Sequence, residues 1–160
     1  MAIDHNQLRS VMGSFATGVT VVTTHDGAGR KHGLTANAVC SLSLVPPLLL
    51  VCVDKRAESH PAFARSRAFA VNVLAAGQQE LSRRFAVSGG DKFTGIPHHE
   101  GPTGAPILEG ALAFVECRVV EEHDGGDHTI YVGEVERAEA AGDGAPLLFY
   151  RGQYRELRDP

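Results

Sequence analysis

Two polar segments lie on either side of a short apolar run at residues 48–53, and both carry groups that could bind a ligand. The first, TANAVCSLS at residues 35–43, places hydroxyl and amide groups among small side chains. Small side chains let a flat ring lie against the backbone, whose N–H and C=O groups can then hydrogen-bond the edge of the ring. The second, DKRAESHP at residues 54–61, combines two cations with the start of a helix, which favours a phosphate. Together the segments indicate a site for a planar, anionic ligand.

Each segment also has an ordinary structural explanation. Residues 35–43 could be a polar strand and loop, and residues 54–61 could be a capped helix with solvated charges. For either segment alone the two explanations have equal weight. Because the segments flank one predicted strand, a shared site is the stronger interpretation.

Further candidates lie outside these segments. Lys92 and Phe93 stand at the mouth of a Gly/Pro-rich stretch at residues 89–110, and loops of that length are usually lids or binding segments. His98 is followed by a second histidine and a glutamate, but adjacent histidines point apart and no third spaced ligand is evident, so no metal site is expected. His128 follows a tight turn and, judged alone, is more often a structural residue than a functional one.

Composition limits the class of protein. The chain has 160 residues, 43% hydrophobic and 21% charged, with a net charge of −4 and no basic block, which predicts one globular domain (1–160) and no nucleic-acid surface. Its three cysteines are odd in number and far apart, which indicates buried free thiols in a reducing compartment. No signal-peptide or membrane-spanning pattern is present, so a cytoplasmic protein is expected.

Several common enzyme motifs are missing from the sequence. It has no G-x-G-x-x-G, no G-x-x-x-x-G-K-[ST] and no G-x-S-x-G. These absences disfavour a Rossmann dehydrogenase, a P-loop enzyme and a nucleophile-elbow hydrolase.

The periodicity of apolar residues predicts a mainly β protein. Helices are expected over 4–15, 60–67 and 77–86, and strands over 19–24, 30–36, 48–53, 68–74, 111–120, 128–137 and 146–150. Residues 37–47 are expected to form a loop ending at two prolines, and residues 89–110 a long surface excursion. About six strands joined largely by hairpins indicate an antiparallel barrel with helices outside it.

Several motifs in a consistent order add a family resemblance. They run from VMGSFATGVTVVTT through HGLTANAVCSLSLVPPLLLVCVDKRAESHPAF, AFAVNVLAAGQQELSRRFA and DKF to GDHTIYVGEVE and LLFYRGQYREL. In these motifs the chain resembles the flavin reductase-like family with the FMN-binding split-barrel fold, and in particular the small reductase components of two-component flavin-dependent monooxygenases. The resemblance implies a six-stranded antiparallel Greek-key split β-barrel with flanking helices, forming a homodimer with flavin near the subunit interface.

The resemblance also implies roles for individual residues. The implied flavin-binding residues are Thr35, Ala36, Asn37, Ala38 and Ser41 at the ring and ribityl chain, Cys52, Val53, Asp54 and Lys55 along the ring edge, Ser59 and His60 at the phosphate, and Ala86, Lys92 and Phe93 closing over the cofactor. His128 would position the nicotinamide of the donor, with Tyr150 and Arg151 in the same pocket. No side chain is expected to act as nucleophile or general base.

The implied activity is that of an NAD(P)H:flavin oxidoreductase. It would transfer hydride from NADH or NADPH to FMN or FAD and supply reduced flavin to a partner monooxygenase, without contact with membrane or nucleic acid. Two alternatives stay open at this point. One is a non-catalytic split-barrel protein that binds flavin or haem, and the other is an enzyme similar to pyridoxamine-phosphate oxidase, which would carry more arginine and lysine around its substrate.

Overall fold

The three predicted helices are present in the computed structural model, which describes residues 3–157. They are α1 (His5–Met12), α2 (His60–Ser66) and α3 (Gln79–Ala86). The side chain of Asp4 caps α1 by accepting a hydrogen bond from the backbone N–H of Asn6, at 3.3 Å. A 3-10 turn at Ala76–Gln78 leads into α3. The three predicted helices are therefore confirmed, with shorter bounds for α1 and α3. The predicted cap at Asp4 is observed, whereas Ser59, predicted to cap α2, makes no side-chain capping hydrogen bond.

Nearly half of the described chain lies in strands that pair antiparallel. In chain order the strands are β1 (Thr17–Gly18), β2 (Thr20–His25), β3 (Lys31–Ala36), β4 (Val39–Leu44), β5 (Pro47–Asp54), β6 (Ala68–Val73), β7 (His98–Glu100), β8 (Pro106–Leu108), β9 (Ala113–Gly125), β10 (His128–Ala140), β11 (Leu148–Tyr150) and β12 (Gln153–Arg155). Seven of them form the main sheet in the order β3-β2-β6-β9-β10-β5-β4. The predicted mainly β class is confirmed, with seven rather than six strands in the main sheet.

The two edges of this sheet are joined by a very short link. β3 ends at Ala36 and β4 begins at Val39, although β3 and β4 lie at opposite ends of the strand order. A two-residue link can connect the edges only if the sheet curls until they approach each other, which produces a split barrel. The interior is filled by side chains from both halves of the sheet, including Val22, Val51 and Tyr131.

The prediction of a loop at residues 37–47 is wrong for most of this segment, because β4 occupies it. β4 pairs with β5, with Val39 opposite Val51 and Ser41 opposite Leu49. As an edge strand it has a neighbour on one side only, and Leu42 and Leu44 remain exposed. Its side chains therefore lack the alternation of a half-buried strand, which is why the pattern did not reveal it.

The stretch at residues 89–110 is also more structured than predicted. It contains the β7–β8 hairpin, which packs on the main sheet instead of extending into solvent. The side chain of Asn72 accepts a hydrogen bond from the Leu108 N–H at 2.8 Å, and the Thr103 hydroxyl donates to the buried carboxylate of Glu116 at 2.8 Å. Buried polar groups of the sheet thus fix the hairpin in place.

Two predictions from composition can be compared with the structure. Cys40, Cys52 and Cys117 are all free thiols, as predicted, but of the three only Cys117 is buried, whereas Cys52 is half-buried and Cys40 is exposed on the edge strand β4. Within residues 3–157, every helix is too short or too polar to cross a membrane.

Candidate functional site

A cavity of about 430 Å³ lies between β3, the loop leading to α2, and the end of α3. It is lined by Leu34, Thr35, Asp54, Arg56, Ala57, Glu58, Ser59, Phe85, Ala86, Val87, Ser88 and Lys92. We call it the first cavity. It brings together five of the residues predicted to bind flavin, namely Thr35, Asp54, Ser59, Ala86 and Lys92, which come from four separate parts of the sequence.

Lys92 is the principal cation of the first cavity. It is half-buried, and its ammonium group donates to the carbonyl oxygens of Gly33 at 3.3 Å and Phe85 at 3.4 Å. Burial lowers the pKa of Lys92, and the nearby carboxylate of Glu58 opposes this effect. Lys92 forms no ion pair within residues 3–157, so an anion entering the cavity would be the first direct partner of its charge.

Asp54 and Arg56 also line the first cavity. Both carboxylate oxygens of Asp54 accept hydrogen bonds from the guanidinium of Arg56, at 3.2 and 2.9 Å. The carboxylate also accepts a hydrogen bond from the Arg56 backbone N–H at 2.8 Å. These hydrogen bonds hold the pKa of Asp54 well below its usual range, so it stays ionised. Arg56 itself is mostly exposed and is anchored at the cavity mouth by this pair.

A hydroxyl at the start of α2 also faces the first cavity. Ser59 is buried, yet its side chain makes no capping hydrogen bond to α2. The neighbouring lining residues Ala57, Ala86 and Ser88 are small. A hydroxyl, an ammonium group and small side chains fit a phosphate attached to a flat ring system, so the residues present suit a flavin.

Close packing between β3 and α3 shapes the wall of the cavity. Gly33 lies against the ring of Phe85, and a Cβ at this position would come within 2.8 Å of the ring. The hydroxyl of Thr35 donates to the carbonyl of Ser82 at 2.5 Å. The hydroxyl proton of Thr35 is therefore used in attaching α3.

The remaining predicted flavin residues do not line the first cavity. Val53 is a core residue with 1% of its surface exposed, so only its backbone could meet a ligand. The ammonium group of Lys55 donates hydrogen bonds to the carboxylate of Asp124 and to the carbonyl of Gly126 at the β9–β10 turn. The ring of His60 lies 2.9 Å from the hydroxyl of Thr129.

The other predicted flavin-binding residues, apart from Phe93, lie on β3, β4 and β5 and in the link between β3 and β4. Ala36 packs against the core and Cys52 is half-buried, while Asn37, Ala38 and Ser41 are exposed on the β3–β4 link and on β4. Phe93 is buried and lines a neighbouring cavity described below.

The three residues predicted for the nicotinamide side lie in two places. His128 begins β10 directly opposite Asp54 on β5, and its Nδ1 lies 2.7 Å from a carboxylate oxygen of Asp127. Tyr150 ends β11, and the N–H of Arg151 donates to the carbonyl of Gly13 at 2.9 Å. Within this chain His128 therefore adjoins a wall of the first cavity, whereas Tyr150 and Arg151 lie near the end of α1.

A second cavity, of about 530 Å³, adjoins the first. It is lined by Gly29, Arg30, Lys31, His32, Gly33, Glu58, Ser59, Gly90, Asp91, Lys92, Phe93, Thr94 and His98. Sequence reasoning assigned only Ser59, Lys92 and Phe93 of this set to a ligand. The available signal was the run of basic residues at 30–32, shortly before the polar segment at 35–43.

The fold and these cavities define a class of protein: a split β-barrel with a polar, phosphate-compatible cleft beside one sheet edge. The sequence model of the family described as "Flavin reductase like domain" matches residues 12–158, and the chain belongs to this family. The predicted resemblance is thereby confirmed.

Individual relatives agree with this assignment. The chain is 46% identical over 153 residues to the flavin-dependent monooxygenase reductase subunit HsaB of Rhodococcus jostii, covering 96% of this chain and 78% of that protein. It is similar to the solved structure of the NADH:FAD oxidoreductase SgcE6 of Streptomyces globisporus, with a TM-score of 0.91, 41% identity, and coverage of 99% and 98% of the two chains. It is also similar to BorF, the flavin reductase component of a bacterial two-component tryptophan halogenase, with a TM-score of 0.88, 40% identity, and coverage of 98% and 100%.

Proposed function

We propose that this protein is an NAD(P)H:flavin oxidoreductase that supplies reduced flavin to a partner monooxygenase. The observation that carries the proposal is the first cavity, where an ammonium group without an ion-pair partner in the described chain and a free hydroxyl face small side chains. Membership of the family and the names of its relatives support the same activity.

The role of this chain is to bind and orient. When bound, the flavin supplies the chemistry, because it can accept a hydride from a reduced nicotinamide. Lys92 and Ser59 would hold the phosphate, and the backbone of β3 and β5 would face the ring system. Asp54 stays ionised in its pair with Arg56, so it is not available as a proton donor at neutral pH. Alignment of two stacked rings, rather than side-chain acid or base catalysis, accounts for the rate in this proposal.

The proposal includes a homodimer. α1 buries none of its residues, and Phe15, just beyond it, is 70% exposed. On β4 and directly after it, Leu44 and Val45 are 84% and 91% exposed. Apolar side chains this exposed on a sheet edge and a helix favour contact with a second copy, which would also bring a partner wall to the flavin. We place this dimer, built from one domain per chain, in the cytoplasm.

In the test, the purified protein is given NADH or NADPH together with FAD or FMN. The reaction is monitored by the loss of the absorbance of oxidised flavin. The proposal predicts turnover that depends on both the protein and the flavin. Retention of flavin without bleaching would instead support a binding protein. Oxygen uptake that depends on an amine phosphate and not on a nicotinamide would support an enzyme similar to pyridoxamine-phosphate oxidase.

A matched variant tests the role of His128. In the proposal His128→Ala raises the KM for NADH more than it weakens flavin binding, because His128 stands beside the cavity wall at Asp54 and not in the cavity. His123→Ala is the control, since His123 is exposed on the neighbouring strand β9. An unchanged KM for NADH would remove the role of His128.

A further inference from the structure

We propose that Lys55 and Asp127 are positioning residues for the nicotinamide donor, because together they fix the imidazole of His128 in one place and one tautomer. This inference rests on the proposed reductase function and on the role of His128 in it. It gives Lys55 a part on the donor side of the reaction, whereas the family resemblance places this residue along the flavin ring. Asp127 receives no role from the resemblance.

The contacts of Lys55 point away from the cavities. Its side chain lines neither of them, although its neighbours on both sides in the sequence line the first. Its ammonium group instead donates to the Gly126 carbonyl at 2.6 Å and to the carboxylate of Asp124. Its backbone N–H donates to the Asp127 carbonyl at 3.0 Å. All three of these hydrogen bonds end at the β9–β10 turn, which leads directly into His128.

The β9–β10 turn has few attachments to the rest of the chain. Residues 121–127 are all exposed, and β6 pairs with β9 no further than Arg118. On the other side, the pairing of β10 with β5 ends at His128 and Asp54. The hydrogen bonds of Lys55 therefore extend the attachment of β10 to β5 beyond its last pair and into the turn.

Asp127 connects this turn to the imidazole. Its carbonyl accepts the Lys55 N–H, and one of its carboxylate oxygens lies 2.7 Å from Nδ1 of His128. The hydrogen bond with His128 lowers the pKa of Asp127, so the carboxylate stays ionised and can only accept. Nδ1 of His128 is therefore the donor, and Nε2 is the nitrogen left for a ligand.

The residue after His128 is fixed as well. The hydroxyl of Thr129 lies 2.9 Å from Nε2 of His60, the first residue of α2. His128 thus lies between two neighbours that are each tied to the segment from the end of β5 to the start of α2. Because that segment also lines the first cavity, a donor positioned by His128 would be aligned with a flavin bound there.

The ion pair of Lys55 contributes little to folding. The side chains of Lys55 and Asp124 are 39% and 78% exposed, and ion pairs this exposed add little stability. Lys55→Met should therefore leave the fold intact while it releases the turn. Thermal unfolding checks this point.

The experiment measures the KM for NADH, kcat and the dissociation constant of FAD. We expect Lys55→Met to raise the KM for NADH about threefold to tenfold, while kcat and FAD affinity change by less than about twofold. Lys55→Arg keeps a cation at this position and should restore most of the loss. Glu121→Gln is the control and should leave all three values unchanged, because Glu121 pairs with His123 and not with Lys55.

A second measurement observes the imidazole directly and needs no turnover. Nitrogen-15 NMR of the histidine side chains distinguishes the two tautomers, and His128→Gln assigns the signal. We expect the Nδ1–H tautomer of His128 in the wild-type protein and its loss in Asp127→Ala. The same variant should raise the KM for NADH at least as much as Lys55→Met does.

Equal weakening of FAD binding and of NADH use in Lys55→Met would place Lys55 at the flavin and overturn the inference. So would an unchanged KM for NADH in Lys55→Met or Asp127→Ala, or the same tautomer of His128 in the wild-type protein and Asp127→Ala. If the proposed reductase function were wrong instead, the wild-type protein would oxidise NADH with neither flavin, whatever the tautomer of His128.

Discussion

Replacing Lys92 with methionine isolates the phosphate contact from the rest of the site. Methionine keeps much of the length and the apolar stem of lysine but removes the ammonium group. In the folded protein that group makes only two long hydrogen bonds, at 3.3 and 3.4 Å, to backbone carbonyls. The substitution should therefore affect ligand binding much more than folding.

The size of the effect follows from the charge of the missing group. Losing a hydrogen bond between two charged partners costs about 1.5–3 kcal/mol, and about 1.4 kcal/mol corresponds to a factor of ten in affinity. Lys92 is half-buried rather than fully enclosed, so the lower part of this range applies. We expect the dissociation constant of FMN to rise by about tenfold to thirtyfold in Lys92→Met.

The assay compares FMN with riboflavin, which has the same ring and ribityl chain but no phosphate. Flavin binding is followed by fluorescence quenching, and thermal unfolding reports on the fold. Riboflavin affinity should stay within about twofold of wild type, and Lys92→Arg should retain most of the FMN affinity. Equal losses for FMN and riboflavin would refute the assignment of Lys92 to the phosphate, and so would unchanged FMN binding.

Three further predictions concern packing, ionisation and assembly. Gly33→Ala should lower the free energy of unfolding by about 1–3 kcal/mol in urea titrations, because the added methyl would meet the ring of Phe85. Burial raises the pKa of Cys117 from 9.0 to about 12, so the unfolded chain loses this proton first and stability falls as pH rises between these values. Cys117→Ala should remove that part of the alkaline decline, up to about 1.4 kcal/mol per pH unit, in urea unfolding at about pH 8 and about pH 10. Leu44→Glu should convert the proposed dimer into monomers in sedimentation experiments, because it places a charge on the exposed edge strand.

Each of these variants has a matched control in the same chain. Gly18→Ala adds a methyl where nothing lies within 4 Å, and Cys40→Ala removes an exposed thiol. Val120→Glu places a charge on another exposed apolar residue, on β9. An effect of similar size in a control would contradict the corresponding explanation.

The parts of the fold that the sequence predicted are those governed by local chemistry. The β-branched run at 20–24 forms β2, and the helix start at Asp4 is the observed cap of α1. The parts that it did not predict depend on distant partners. β4 is stabilised by pairing with β5 rather than by its own pattern, and the β7–β8 hairpin is fixed by Asn72 and Glu116, which lie elsewhere in the chain.

The same distinction holds for the candidate site. The residues at 54–59 follow one strand and lead into α2, so their proximity could be read from the sequence. The second cavity joins residues 29–33 to residues 90–94 and His98, which only the folding of the sheet brings together. Its basic residues were visible in the sequence, but nothing local indicated that they face Lys92.

The short connection at Asn37 and Ala38 also limits where the barrel can open. Because the free edges of the sheet are tied together at this point, they can separate only at their other ends, near Lys31 on β3 and Leu44 on β4. Any opening of the seam would therefore widen toward the start of β3 and toward the exposed end of β4, where Leu44 lies. In the proposed dimer, a second subunit covering β4 would hold this edge in place, so assembly would limit how far the seam can open.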